Sequence, residues 1–395
     1  MLYKKILNKN LLVGALVLST LVGTVGCVGQ SVEGKELIKK GNKTITVIKD
    51  TKNIVPEEIS ISDIQEYKGV TGHEWINDNT VVVTKENEAV APIETDFGSF
   101  NVQNLFSYDL NSKEEKSISD QSKFQMGAVL SPNRNYMFYK NEYNGGNIGY
   151  ISDADGNRKL EIVDKDITDY DLSQASWVND KELIMSCSGI NGFVIANIDG
   201  TITKVSDVES AGMVNDEMSK YDILDGLSVL SPVKVENKIY YVTYHANQKD
   251  DKKLNVYDIN TKEKKVLIQE EVLDFNLSPN KDKLLIVSFD GNENVLFTID
   301  LEGDKKEVLA SGHIYGQTWS NDQTKVAYLS LEEQEEGLYL VDINKKESTH
   351  IVAGEYFTPL KFSPEDEKIM VHSKMSKDNG KLFDEIDVTN IVSFK

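Results

Sequence analysis

Leu277-Ser-Pro-Asn-Lys-Asp-Lys-Leu-Leu-Ile-Val-Ser288 is the stretch on which the fold is read. Its Ser-Pro-Asn opening is turn chemistry: proline fixes φ and carries no N–H, and Ser and Asn side chains bond backbone nearby. The apolar run that follows, Leu284 to Val287, has the length and bulk of a strand. The same order returns in Phe362-Ser-Pro-Glu-Asp-Glu-Lys-Ile-Met-Val-His-Ser373. Looser copies are Trp75-Ile-Asn-Asp, Leu130-Ser-Pro-Asn, Trp177-Val-Asn-Asp, Leu230-Ser-Pro and Trp319-Ser-Asn-Asp. Successive anchors lie 55, 47, 53, 47, 42 and 43 residues apart.

That spacing is the length of a four-stranded propeller blade. In the sixth unit the four segments read as Ile314 to Trp319, Lys325 to Ser330, Gly337 to Ile343 and Ser348 to Val352. The third segment recurs as Leu105-Phe-Ser-Tyr-Asp109, Leu254-Asn-Val-Tyr-Asp258, Leu296-Phe-Thr-Ile-Asp300 and Leu382-Phe-Asp-Glu-Ile-Asp387. Each closing aspartate stands where the chain must turn, and its carboxylate can accept a backbone N–H two residues on. One such sheet cannot bury both of its faces, but blades stacked in a ring bury every face. The expectation is an all-β chain, a seven-bladed β-propeller over residues 71–395, with six or eight blades as the alternatives. The last unit reads as supplying its own fourth strand, Asn390 to Phe394. Ring closure is left open, because Thr44 to Ile48 could pair with an edge strand or lie outside the ring.

The repeats resemble the TolB-type, WD40-like (PD40) propeller repeat: an aromatic or apolar residue, Ser-Pro-Asp-Gly, a hydrophobic strand, then a Leu-Tyr-Val-Val-Asp-Leu-like strand. The resemblance covers residues 71–395 and implies a fold without fixing an activity. The α/β domain that precedes the propeller in that family has no counterpart in the short segment before residue 71.

At the other end, Lys4-Lys5, an apolar run from Leu11 to Val25 and Thr24-Val25-Gly26-Cys27 form an export signal, too short for a transmembrane span. The last four residues resemble the bacterial lipoprotein box. The implied organisation is a signal peptide over residues 1–26, lipidation of Cys27, and a tether over 27–70 with short strands at Lys43 to Ile48 and Ile59 to Ile64. Two or three acyl chains on one cysteine would hold the protein at the cell membrane, on its extracytoplasmic face. The net charge of −21 over 395 residues argues against nucleic acid as a partner. Two cysteines, Cys27 and Cys187, exclude a disulfide scaffold and a four-thiolate zinc site.

Phosphate-loop, nucleophile-elbow, zinc-helix and EF-hand patterns are absent from the sequence. No helical segment follows the propeller to build a hydrolase domain, so a serine hydrolase is not expected, and neither a cofactor nor a metal is assigned. Asp153-Ala-Asp155-Gly156 reads as a turn. His73 and His313 both precede a first-strand anchor, close to the axis of a propeller. Trp75, Trp177 and Trp319 share one repeat position and read as inter-blade core. The longest insertions, Lys85 to Asn101 and Val208 to Gly226 among them, fall after second and fourth strands and therefore on one face. They carry Phe97, Phe100, Met213, Met218 and Tyr221, side chains suited to an adaptable partner surface. The function expected is a non-catalytic module that binds or scaffolds a protein or peptide of the cell envelope. The alternative is a propeller enzyme acting on a polysaccharide or lactone at the channel mouth.

Overall fold

The computed structural model describes residues 35–40, 43–48, 59–95, 98–118, 124–143, 146–157, 159–162, 175–187, 190, 192–206, 208, 227–245, 252–376 and 385–395. Two compact units divide at Glu58 and Ile59. In the first, Lys35–Lys40 and Lys43–Ile48 form an antiparallel hairpin in which Ile38 faces Ile45. The partner of Lys43–Ile48 is thus Lys35–Lys40, a strand that its lysines disguise in the sequence.

The second unit is a seven-bladed β-propeller. Six blades are four-stranded meanders in chain order, and their inner strands are Thr71–Asn77, Gln125–Leu130, Ser176–Trp177, Leu227–Val235, Glu271–Leu277 and Ile314–Trp319. The seventh is built differently. Its strands run Phe357–Phe362, Lys368–Ser376, Glu385–Phe394, and then Ile61–Lys68 from the start of the unit. This corrects two expectations. Asn390 to Phe394 is not a fourth strand but the second half of a ten-residue third strand, so Asp387 lies inside a ladder opposite Lys374 instead of in a turn. The fourth position belongs to Ile61–Lys68, which pairs Ile64 with Val392 and closes the ring with both ends of the unit.

Local chemistry explains the repetition. Ser131, Ser278, Ser320 and Ser363 each accept on Oγ the backbone N–H five residues on, from Tyr136, Lys283, Lys325 and Lys368, at 2.9 to 3.2 Å. The serine of the repeat therefore closes the turn between inner and second strand. Asp109, Asp258, Asp300 and Asp342 accept the N–H of Asn111, Asn260, Glu302 and Asn344, each two residues ahead. Backbone donors hold all four carboxyls below the usual carboxylate range. Asp153 accepts the N–H of Asn157, four residues on.

Blade 4 breaks the pattern and corrects a further expectation. Ser231-Pro232 does not turn the chain but forms a bulge inside the inner strand, which continues to Val235 before a tight Glu236-Asn237 hairpin. Register shifts interrupt the inner-to-second pairing in blades 1, 2, 4, 5, 6 and 7 as well, where strands converge on the axis and must twist most. Gly316, at φ 64, sits in one of them, and a Cβ there would come within 2.7 Å of Thr358 in the next blade. Between blades the second and third strands bury the core, for example Leu284, Ile286 and Phe297 against Tyr240 and Leu254.

Candidate functional site

The inner strands surround an axial cavity of about 1260 Å³ that opens among the turns joining first to second strands. Those turns are laced together around the mouth. Asp180 accepts the N–H of Asn133 at 2.9 Å, Asp366 that of Asn321 at 2.8 Å, and Asp78 that of Glu365 at 3.1 Å, each across a blade boundary. Blade 4, with its tight hairpin, offers no such turn. Here Lys281 of blade 5 reaches past it and donates its ammonium to the carbonyl of Val178 in blade 3.

Apolar and polar surface alternate on the wall. Pro132, Pro279, Pro359, Val129, Leu130 and Val233 supply the former, and Arg134, Lys140, Lys234, Lys281, Lys361, Glu74, Asp180 and His73 the charged or titratable groups. Several are already engaged: Lys361 with Glu74 at 2.8 Å, and Lys234 with Glu182 at 3.0 Å. Deeper on the inner strands, Asp274 accepts from the Gln317 side chain at 3.1 Å and from the N–H of Phe275 at 2.9 Å. Asp274 presents surface to solvent yet is enclosed by protein on nearly every side, as befits the wall of a narrow lumen. Desolvation there pushes its pKa up to about 6 against those two hydrogen bonds. The amide oxygen of Gln317 is buried without a partner.

His73 lies on the first inner strand, with Nε2 3.0 Å from the Thr84 hydroxyl. Desolvation, then the neighbouring His372 and Lys361, brings its pKa down to about 3, so it is a neutral wall group at neutral pH. His313 is not beside it. It is exposed at the passage from blade 5 to blade 6, its N–H held by the Glu332 carboxylate at 2.6 Å. Among the described residues no group of three metal-ligating side chains forms. The backbone of Phe100 ends a small hairpin, Ile93–Thr95 with Gly98–Phe100, inserted between the second and third strands of blade 1. Cys27, Phe97, Met213, Met218 and Tyr221 lie outside the described residues. Sequence reading missed the cationic wall, because Arg134, Lys281 and Lys361 sit in turns and strand ends that look like ordinary solvated positions. One signal was available: each stands within four residues of a repeat anchor, and therefore near the axis.

No family model matches the chain, and no curated protein matches it in sequence. Solved structures do match in fold. An oligogalacturonate lyase in complex with manganese is 11% identical, with 84% of this chain and 91% of that one covered and a TM-score of 0.57. The β-propeller domain of Cps50 (Swd1) from Myceliophteria thermophila is 12% identical over 84% and 99%, with a TM-score of 0.50. TolB from Acinetobacter baumannii is 12% identical over 84% and 80%, with a TM-score of 0.42.

Proposed function

We propose that this chain is a non-catalytic binding module of the cell envelope, held on the extracytoplasmic face of the membrane by lipid on Cys27, which takes a protein or peptide segment into the mouth of its axial cavity. The observation that carries the reading is the size of that cavity. Its volume of about 1260 Å³ exceeds the roughly 300–1,000 Å³ usual for small-molecule pockets and suits a stretch of polypeptide. The acids on the wall support it, since Glu74 and Asp180 are each engaged by another residue of the fold. The binding surface favoured is thus the short-turn face, not the loop-rich one.

A photo-crosslinking residue at exposed Pro279, on the rim, tests this in cells. A discrete adduct from Pro279, with none from Lys113 on an outer turn, is the expected result. Equal labelling from both positions would show surface stickiness and remove the argument. The alternative, an enzyme acting on a polysaccharide or lactone, has the fold shared with a lyase in its favour. Turnover of such a substrate by the purified chain, abolished by blocking the mouth, would replace the binding reading.

A further inference from the structure

The chain is strongly acidic, at −21, but its cavity wall is not: five cations and two carboxylates face the space. Pairing with Glu74 and Glu182 accounts for Lys361 and Lys234. Asp180 is taken up by the N–H of Asn133. Arg134 has no such partner. It is one of only two arginines in the sequence, and its guanidinium makes no hydrogen bond or ion pair with another described residue. Its backbone is nonetheless fixed, at φ 59, with its N–H on the carbonyl of Ser131 at 2.7 Å. Lys281 uses one of its three donors on Val178.

A concave wall with an excess of one sign focuses its field into the cavity and raises the local concentration of the opposite charge. The planar fork of arginine matches a carboxylate bidentately, which an ammonium does not. Arg134 and Lys281 stand on blades 2 and 5, with blades 3 and 4 between them along the ring. An extended ligand carrying several carboxylates can address both. A single small anion would be held by one or the other.

We infer that the mouth is a receptor for an acidic peptide segment, with Arg134 as its principal carboxylate anchor and Lys281 as a second contact. The inference rests on the binding-module reading and gives its ligand a charge. It also explains how a strongly acidic protein could accept an acidic partner, since the remaining surface would repel it.

The probe is fluorescein-labelled hexaglutamate, titrated against the intact purified protein and followed by anisotropy. Hexaglutamate should bind, more weakly as salt is raised, whereas hexalysine should not. Arg134→Glu should weaken binding about tenfold or more, and Lys113→Glu, on an outer turn, should leave it unchanged. Because the Arg134 guanidinium makes no hydrogen bond or ion pair with another described residue, the variant should melt close to wild type. Equal affinity of wild type and Arg134→Glu for hexaglutamate would overturn the inference. So would complete displacement of the peptide by inorganic phosphate, which would mark a small-anion site. Loss of hexaglutamate binding by wild type, with the Pro279 adduct still forming, would sink the acidic ligand and leave the module intact. Absence of that adduct would instead remove the module.

Discussion

The indole Nε1 of Trp75 donates to the carbonyl of Lys361, 3.0 Å away, across the seam where the first blade meets the last. Trp177 repeats the contact on Val129 of the blade before it, at 2.9 Å. Trp319, at the same repeat position, does not: its Nε1 is buried without a partner. The three tryptophans thus share a repeat position but differ in polar satisfaction, and Trp177 is only partly buried. Trp75 and Trp319 are only 2% and 7% exposed, so truncation to Ala should cost about 3–5 kcal/mol in either case. Replacement by Phe should separate them. Trp75→Phe strands the Lys361 carbonyl and gives up about 1 kcal/mol of hydrogen bond, while Trp319→Phe removes an unsatisfied donor. Thermal unfolding should show the larger loss for Trp75→Phe, and equal losses would mean that the seam contact contributes nothing.

Closure by Ile61–Lys68 makes a second prediction. Tyr67 is buried in this strand, packs edge-on to Tyr108 at 5.5 Å, and reaches the Leu110 carbonyl at 3.2 Å. At the far end the N–H of Lys395 donates to Ser60. A chain begun at Ile59 should unfold like the full-length protein. One begun at Val70 should melt at a lower temperature and self-associate, because Glu385–Phe394 becomes an unpaired edge. Identical melting of the two truncations would assign the closing strand no stabilising role.

How much of this was legible beforehand depends on whether a feature is local. The Ser-Pro-Asn and Asp turns bond to their own backbone within five residues, so the sequence displays them, and with them the period and the fold. Ring closure joins residues more than three hundred apart, and nothing in Ile61–Lys68 names Val392 as its neighbour. Ser231-Pro232 has turn chemistry, but the long strand around it overrides that preference with a bulge. The cavity wall draws side chains from all seven blades, and its excess of positive charge emerges only when they are gathered around the axis.

Three desolvated titratable groups set opposing pH dependences. Desolvation lowers His73 to about 3, and His372, held in the interior, to about 4, whereas an unfolded chain protonates both near 6.5. Their contribution to stability is complete above pH 6.5 and is lost as the pH falls towards 4 and below, since the unfolded state takes up protons first. Asp274 works the other way. Its pKa, raised to about 6, makes its contribution complete below about pH 4 and lost as the pH rises through 6. Asp274→Asn should therefore raise the melting temperature at pH 7 more than at pH 4. His372→Leu should flatten the acid limb, as it also removes a ring nitrogen buried without a partner. Parallel pH profiles for wild type and His372→Leu would show that the ring takes up its proton as readily in the folded protein as in the unfolded chain.

The leader makes its own prediction, resting on Thr24-Val25-Gly26-Cys27. Mass spectrometry of the mature protein should find Cys27 at the N-terminus carrying acyl chains, and Cys27→Ala should accumulate as an unacylated precursor. A mature protein with an unmodified Cys27 would remove the lipid anchor from the proposed function.

The clasp from Lys281 to Val178 spans the stretch of the rim where blade 4 has a two-residue hairpin in place of the longer turns of blades 3 and 5. Lacing elsewhere runs from turn to adjacent turn through Asp180, Asp366 and Asp78, with backbone donors that no substitution removes. Among the described residues, only here does a single flexible side chain bridge two blades that are not neighbours. A hydrogen bond from a charged donor contributes about 1.5–3 kcal/mol, but the lysine is half-buried and regains water when released, so the lower end is expected. Lys281→Met keeps the aliphatic stem on the rim and deletes the donor. Amide exchange around Val178 should quicken, because the clasp ties this turn to blade 5, whereas its other bonds run within the turn, as from the Val178 N–H to the Glu182 carbonyl at 2.7 Å, or back to blade 2 through Asp180. Exchange in the second strands of blades 6 and 7 should not change, since their turns keep the Asp366 and Asp78 contacts. Uniform acceleration across all blades would mean global destabilisation, and unchanged exchange at Val178 would mean that blade 4 holds the rim without the clasp.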